Sequence, residues 1–65
     1  MGECTIVHVS GNYDLTVYES YESFKERLIQ ACHEGQHYMP ATIGRMGNVI
    51  DAFINVHRID YIERR

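Results

Sequence analysis

Tryptophan is absent from this chain, proline occurs once (Pro40), and cysteine occurs only twice, as Cys4 and Cys32. One proline and five glycines exclude a collagen-like or Pro/Gly-rich low-complexity segment. Two cysteines are too few for the disulfide framework of a small secreted scaffold. No apolar run approaches the roughly 18 residues of a membrane-spanning helix. Positive charge is also scarce. Six Lys and Arg stand against nine Asp and Glu, a net charge of -3. Lys25, Arg27, Arg45, Arg58, Arg64 and Arg65 are dispersed, and only the last two are adjacent. A general nucleic-acid binder needs a basic footprint to neutralise phosphates, so this balance argues against DNA or RNA as the main partner.

The chain does carry enough apolar residues to fold. Hydrophobic residues make up 45% of 65 and charged residues 23%, which is globular rather than disordered composition. The length sets one domain. A domain this small buries only about 60% of its unfolded surface, and such chains often gain stability from a metal, a disulfide or self-association. Met1-Gly2-Glu3-Cys4 has no apolar signal-peptide core. Ile6 occupies the position where N-myristoylation wants Ser or Thr. The expectation is a cytoplasmic protein with two free thiols, no membrane contact and no cofactor.

Residues 5–10, Thr-Ile-Val-His-Val-Ser, are rich in β-branched side chains and predict a strand. Gly11-Asn12 predicts a turn, and residues 15–18 the returning strand, with Leu15 and Val17 on one face and Thr16 and Tyr18 on the other. The spacing then predicts a helix from Tyr21 to about Glu34. Tyr21, Phe24, Leu28, Ala31 and Cys32 recur in steps of three and four, with Ile29 at the margin. Ser20 is the expected N-cap and Gly35 the expected stop. Residues 37–43 predict a third strand, placed by Pro40 at an edge or a bulge. Gly44-Arg45-Met46-Gly47-Asn48 predicts a hairpin turn, and residues 49–56 the longest strand, with Ile50, Ala52, Ile54 and Val56 on one face and Val49, Asp51, Phe53 and Asn55 on the other. A short turn at residues 55–58 leads to a last short strand, residues 59–63, with Ile59 and Tyr61 expected on one side. The fold class is therefore α+β: β-β-α-β-β with an added short strand, one helix packed on an antiparallel sheet.

The ending Phe53-Ile54-Asn55-Val56-His57-Arg58-Ile59-Asp60-Tyr61-Ile62-Glu63 resembles the close of many short bacterial and phage proteins, in which a strand bearing I-N-V runs through a turn into I-x-x-I-E. The hairpin–helix–hairpin order is similar too. The resemblance covers the last third of the chain and the overall layout. It implies a compact bacterial or bacteriophage accessory protein and transfers no functional residues.

Four groups of residues bear on chemistry. Cys32, His33 and His37, with Cys4, His8 and His57, supply ligand types for zinc. No Cys-x-x-Cys pair exists, and Gly35 interrupts the His33–His37 spacing, so the reading is a core cysteine and surface histidines, with no metal. Cys32 beside His33 could suggest a thiolate and its base. Helix neighbours point about 100° apart, and no third residue orients the pair, so no catalytic residue is expected. The two glycines of residues 44–48 precede no helix, as a phosphate-cradling loop would require; the segment reads as a turn that displays Arg45 and Met46. Asp14, Glu19, Glu22 and Glu26 gather near the helix start. Dipole matching explains them, with mimicry of an acidic ligand toward a basic host site as the functional alternative.

The five tyrosines exceed what so small a core buries with satisfied hydroxyls, and tyrosine, arginine and methionine are favoured at contacts. The expected interaction surface is accordingly Tyr13, Tyr18, Tyr38, Arg45, Met46 and Tyr61. The leading expectation is a non-enzymatic protein-interaction module that binds another protein or itself, as a homodimer, through an open sheet edge. The alternative is a nucleic-acid binder using Arg45, Arg58, Arg64 and Arg65 with Tyr38 or Tyr61 as stacking platforms.

Overall fold

A computed structural model describes residues 3–65. Its elements run β1 (Thr5–Val9), β2 (Tyr13–Val17), α1 (Tyr21–His33), β3 (Tyr38–Arg45), β4 (Asn48–Asn55), a 3-10 turn (Val56–Arg58) and β5 (Ile59–Arg64). The five strands form one antiparallel sheet in the order β4-β3-β2-β1-β5, with the helix packed on it.

The helix begins and ends where its caps dictate. The Ser20 hydroxyl accepts from the Ser23 N–H at 3.2 Å, and Glu22 lies in the first turn. At the other end Gly35 takes φ 73°, the Gln36 N–H reaches the Ala31 carbonyl at 2.9 Å, and the Gly35 N–H reaches that of Cys32 at 3.2 Å. This pair of bonds is the Schellman motif, and it needs a residue comfortable at positive φ.

The core joins Val7 and Val17 of the first hairpin, Phe24 and Ala31 of the helix, and Met39, Ala41, Ile43, Ile54 and Val56 of the second half. Thr5 is wholly buried, and its hydroxyl donates to the Glu19 carbonyl at 2.9 Å, so burial leaves no polar atom unpaired. Cys32 differs from expectation: it is exposed. The inward stripe is centred on Phe24 and Ala31, and Cys32 sits about 100° round from Ala31, on the flank facing β5.

The edge strands β4 and β5 are joined by only the three residues of the 3-10 turn. A flat five-stranded sheet would set its edges about 19 Å apart, whereas three residues in 3-10 geometry rise only about 6 Å. The sheet therefore curls strongly about the core. Two backbone bonds hold the curl: Ser10 N–H to the Arg58 carbonyl and Val56 N–H to the His37 carbonyl, both 2.8 Å.

Pro40 lies within β3, which has neighbours on both sides. The contact with β2, however, is confined to Thr16↔Gly44 and Val17↔Ile43, with Tyr18 N–H reaching the Thr42 carbonyl at 2.9 Å. Pro40 falls beyond it, so its missing donor faces no strand, and its carbonyl is taken by Arg27 at 2.7 Å. Ile59 and Tyr61 do not share a face. Val9 pairs with Ile59 and His8 with Tyr61, so Asp60 is a β-bulge. The extra residue reverses the alternation: Ile59 and Ile62 pack on the core, and Tyr61 turns to the outer face.

Candidate interaction surface

The β3–β4 hairpin has a two-residue loop, Met46-Gly47, with φ 51° and 82°. Positive φ at both positions is the type I′ pattern that matches strand twist. It sets the register Arg45↔Asn48, Ile43↔Ile50, Ala41↔Ala52 and Met39↔Ile54, with Gly44↔Val49, Thr42↔Asp51 and Pro40↔Phe53 between. Arg45↔Asn48, closing a two-residue hairpin, is a hydrogen-bonded pair, and antiparallel pairs alternate. The Val56 N–H to His37 carbonyl bond fits the same alternation at the far end. Val49, Asp51 and Phe53 therefore direct their backbone N–H and C=O groups away from β3. No strand lies on that side among the described residues.

The outer face of this hairpin is apolar where it meets the edge. Phe53 is 75% exposed and Val49 64%. Phe53 stands opposite Pro40, and Tyr18 lies across Gly44, where an added Cβ would come within 2.5 Å of the tyrosine hydroxyl. Glycine at 44 is thus what lets Tyr18 lie flat against the strand. Tyr18, Pro40, Thr42, Asp51 and Phe53 border an open groove of about 380 Å³. At its end Arg27 clamps Glu19 with two bonds of 3.0 and 2.9 Å. The guanidinium holds the Glu19 carboxyl below its usual range, and Glu19 in turn raises Arg27.

The two sheet edges differ. β5 carries Asp60, Glu63 and Arg64, contains a bulge and is flanked by α1. β4 is eight residues long, and its only charged residue is Asp51, whose carboxylate accepts from the Thr42 hydroxyl at 3.3 Å. Natural edges are guarded by charge, bulges or a covering element. β5 has all three, and β4 almost nothing.

The sequence-expected surface residues do not form one patch. Tyr18 borders the β3–β4 groove, and Tyr38 heads β3 on the same outer face, opposite Asn55. Arg45 and Met46 cap the hairpin end, with Met46 94% exposed. Tyr13 opens β2 and faces the core side beside Val9 and Leu15. Tyr61 lies on the outer face of β5, stacked on His8 with ring centroids 4.1 Å apart. Composition drew attention to tyrosine and missed Phe53 and Val49, which alternation groups on the face opposite Ile50, Ala52 and Ile54 and which the structure turns outward. The arginines are not gathered either: Arg64 pairs with Glu22 at 2.7 Å and sits over the Tyr21 ring, while Arg27 is held by Glu19.

Three histidine arrangements bear on catalysis and metal binding. His8 bonds Asp14 through Nδ1 at 2.6 Å and Glu63 through Nε2 at 2.5 Å. With a carboxylate on each nitrogen its pKa is raised, the hydrogen bond to Glu63 contributing most. Both nitrogens are occupied, so the ring has no face to offer as a base; it clasps β2, β1 and β5 together. His37 Nδ1 and His57 Nε2 meet at 2.8 Å, where one ring donates and the other accepts. His33 and Cys32 are exposed at the helix end. Among the described residues no group of three or more His, Cys, Asp or Glu is placed to hold a metal ion, and no helix is long and apolar enough to cross a membrane.

Comparison with protein-family models, with curated proteins and with solved structures finds no match for this chain.

Proposed function

We propose that this chain is a non-catalytic protein-interaction module of the cytoplasm, an accessory protein of bacterial or phage type, acting through the β4 edge and the apolar strip beside it. One observation carries the reading: an eight-residue edge strand with outward-directed backbone groups, guarded by a single charge and flanked by exposed Val49 and Phe53. An edge of this kind is a template for strand addition, with main-chain bonds supplying affinity and alternate side chains supplying selectivity. Tyr18, Pro40 and Phe53 border the adjoining groove, its carboxylates are Asp51 and Glu19, and its one guanidinium, Arg27, is already taken by Glu19, so it suits an apolar partner segment rather than phosphate.

Affinity capture combined with light scattering tests the proposal, comparing the natural chain with a Val49→Lys/Phe53→Lys variant and an Ile29→Lys control. Ile29 is equally exposed, at 60%, but lies on the helix. A bound protein, either a second copy or another chain, should be retained by the natural chain and the control and lost by the edge variant. Absence of any bound protein, with no self-association at millimolar concentration, overturns the reading, as does equal retention by the edge variant.

A further inference from the structure

We infer that the occupant of the β4 edge is β4 of a second copy, paired antiparallel about a two-fold axis at Ala52, so that two five-stranded sheets continue as one. The inference rests on the interaction reading above and names its partner.

Parity and charge select the arrangement. In a two-fold antiparallel pair, outward-directed residues must face outward-directed residues. In β4 these are the odd-numbered ones, as the β3–β4 register shows. Two registers overlap the strand almost fully, one centred on Asp51 and one on Ala52. Centring on Asp51 sets two carboxylates directly opposite, an arrangement that destabilises a sheet. Centring on Ala52 puts Asp51 opposite Phe53 of the second copy and Val49 opposite Asn55. On the core side Ile50 meets Ile54 of the second copy, and Ala52 meets its own twin at the axis. The small Ala52 permits close approach there, and Ile50, which the fold leaves 36% exposed, gains a neighbour. β5, with its charges and its bulge, offers no comparable edge.

Ala52 pairs with Ala41 within the subunit and so takes a non-hydrogen-bonded position toward the second copy. Opposed Cα atoms at such a position lie about 4.5 Å apart, inside the disulfide range of about 4.4–6.8 Å. Ala52→Cys in a Cys4→Ser/Cys32→Ser background, under a glutathione redox buffer, should therefore yield a disulfide-linked dimer. Asp51→Cys should yield at least about tenfold less, since its opposite residue is Phe53. Sedimentation of the natural chain should show a concentration-dependent dimer, and Phe53→Lys should weaken it at least about tenfold, a change of about 1.4 kcal/mol or more. Phe53 is exposed, so that variant should keep the fold, with circular dichroism as the check. Preferential linkage through Asp51→Cys, linkage independent of Phe53→Lys, or a strict monomer at millimolar concentration overturns the inference. If the chain is monomeric but captures another protein in a Phe53-dependent way, self-pairing falls and the interaction reading stands. If it does neither, both fall.

Discussion

An imidazole flanked by two carboxylates favours its cationic form, because both ring nitrogens then donate and both acceptors are satisfied. His8 is so placed between Asp14 and Glu63, with Tyr61 stacked on its face. Its pKa in the folded chain lies above the ordinary value of 6.5. The sign follows: the folded state binds the proton more tightly, so this contribution to stability is full below pH ~6.5 and lost as pH rises through the folded-state value. Proton-detected titration should place the His8 midpoint above 6.5, and Glu63→Gln should lower it. A His8 midpoint at or below 6.5 would contradict the geometry. Met46 shows the opposite relation between residue and role. A side chain that ordinarily avoids positive φ holds φ 51° at a fully displayed position. The turn is tighter than the five residues the sequence set aside for it: pairing runs on to Arg45↔Asn48, and Gly47 supplies the second positive φ.

At the scale of the element, helix α1 follows local chemistry nearly residue for residue: Ser20 caps it, Phe24 and Ala31 face inward, and Gly35 ends it. Gly35 has nothing within 4 Å of an added Cβ, so a substitution there meets only the backbone cost of φ 73°. Gly35→Ala should destabilise the chain by about 1 kcal/mol in urea unfolding, with an unchanged slope. A larger loss would mean that the β3 entry depends on this turn. Strand β5 departs from the local rule. Strict alternation over residues 59–63 sets Ile59 and Tyr61 together, and the bulge at Asp60 separates them. Nothing in the five residues announces that bulge. It arises because Ile59 must follow the 3-10 turn into the core while Ile62 must still face Val7.

For the whole molecule, closure depends on contacts between the two ends of the chain. β1 pairs with both β2 and β5, so Val7 meets Leu15 on one side and Ile62 on the other. Phe24, wholly buried, is the largest side chain in the core that this wrapping encloses. Phe24→Ala should cost about 3–5 kcal/mol, comparable with the total stability of a chain this short, and should leave it largely unfolded by circular dichroism at 37 °C. A cooperative transition near that of the natural chain would show that the core tolerates the cavity. Salt should matter little to this result, since surface ion pairs such as Lys25–Glu22 contribute weakly.

The sequence by itself determined the elements, their order and, except in β5, which strand residues share a face, because caps, turn residues and hydrophobic period act over a few neighbours. It also showed that tyrosines must reach the surface, and Tyr13, Tyr18, Tyr38 and Tyr61 do. Tertiary structure decided which strand lies at an unguarded edge, that Cys32 sits on the flank of the helical stripe, and that His8 gathers Asp14 from six residues away and Glu63 from fifty-five. Strand order and register join residues distant along the chain, and no local pattern encodes which distant strand closes the sheet. The exposed pair Val49 and Phe53 illustrates the division: alternation set them on the face opposite Ile50, Ala52 and Ile54, and only the fold decided that this face is the outer one, at the end of the sheet.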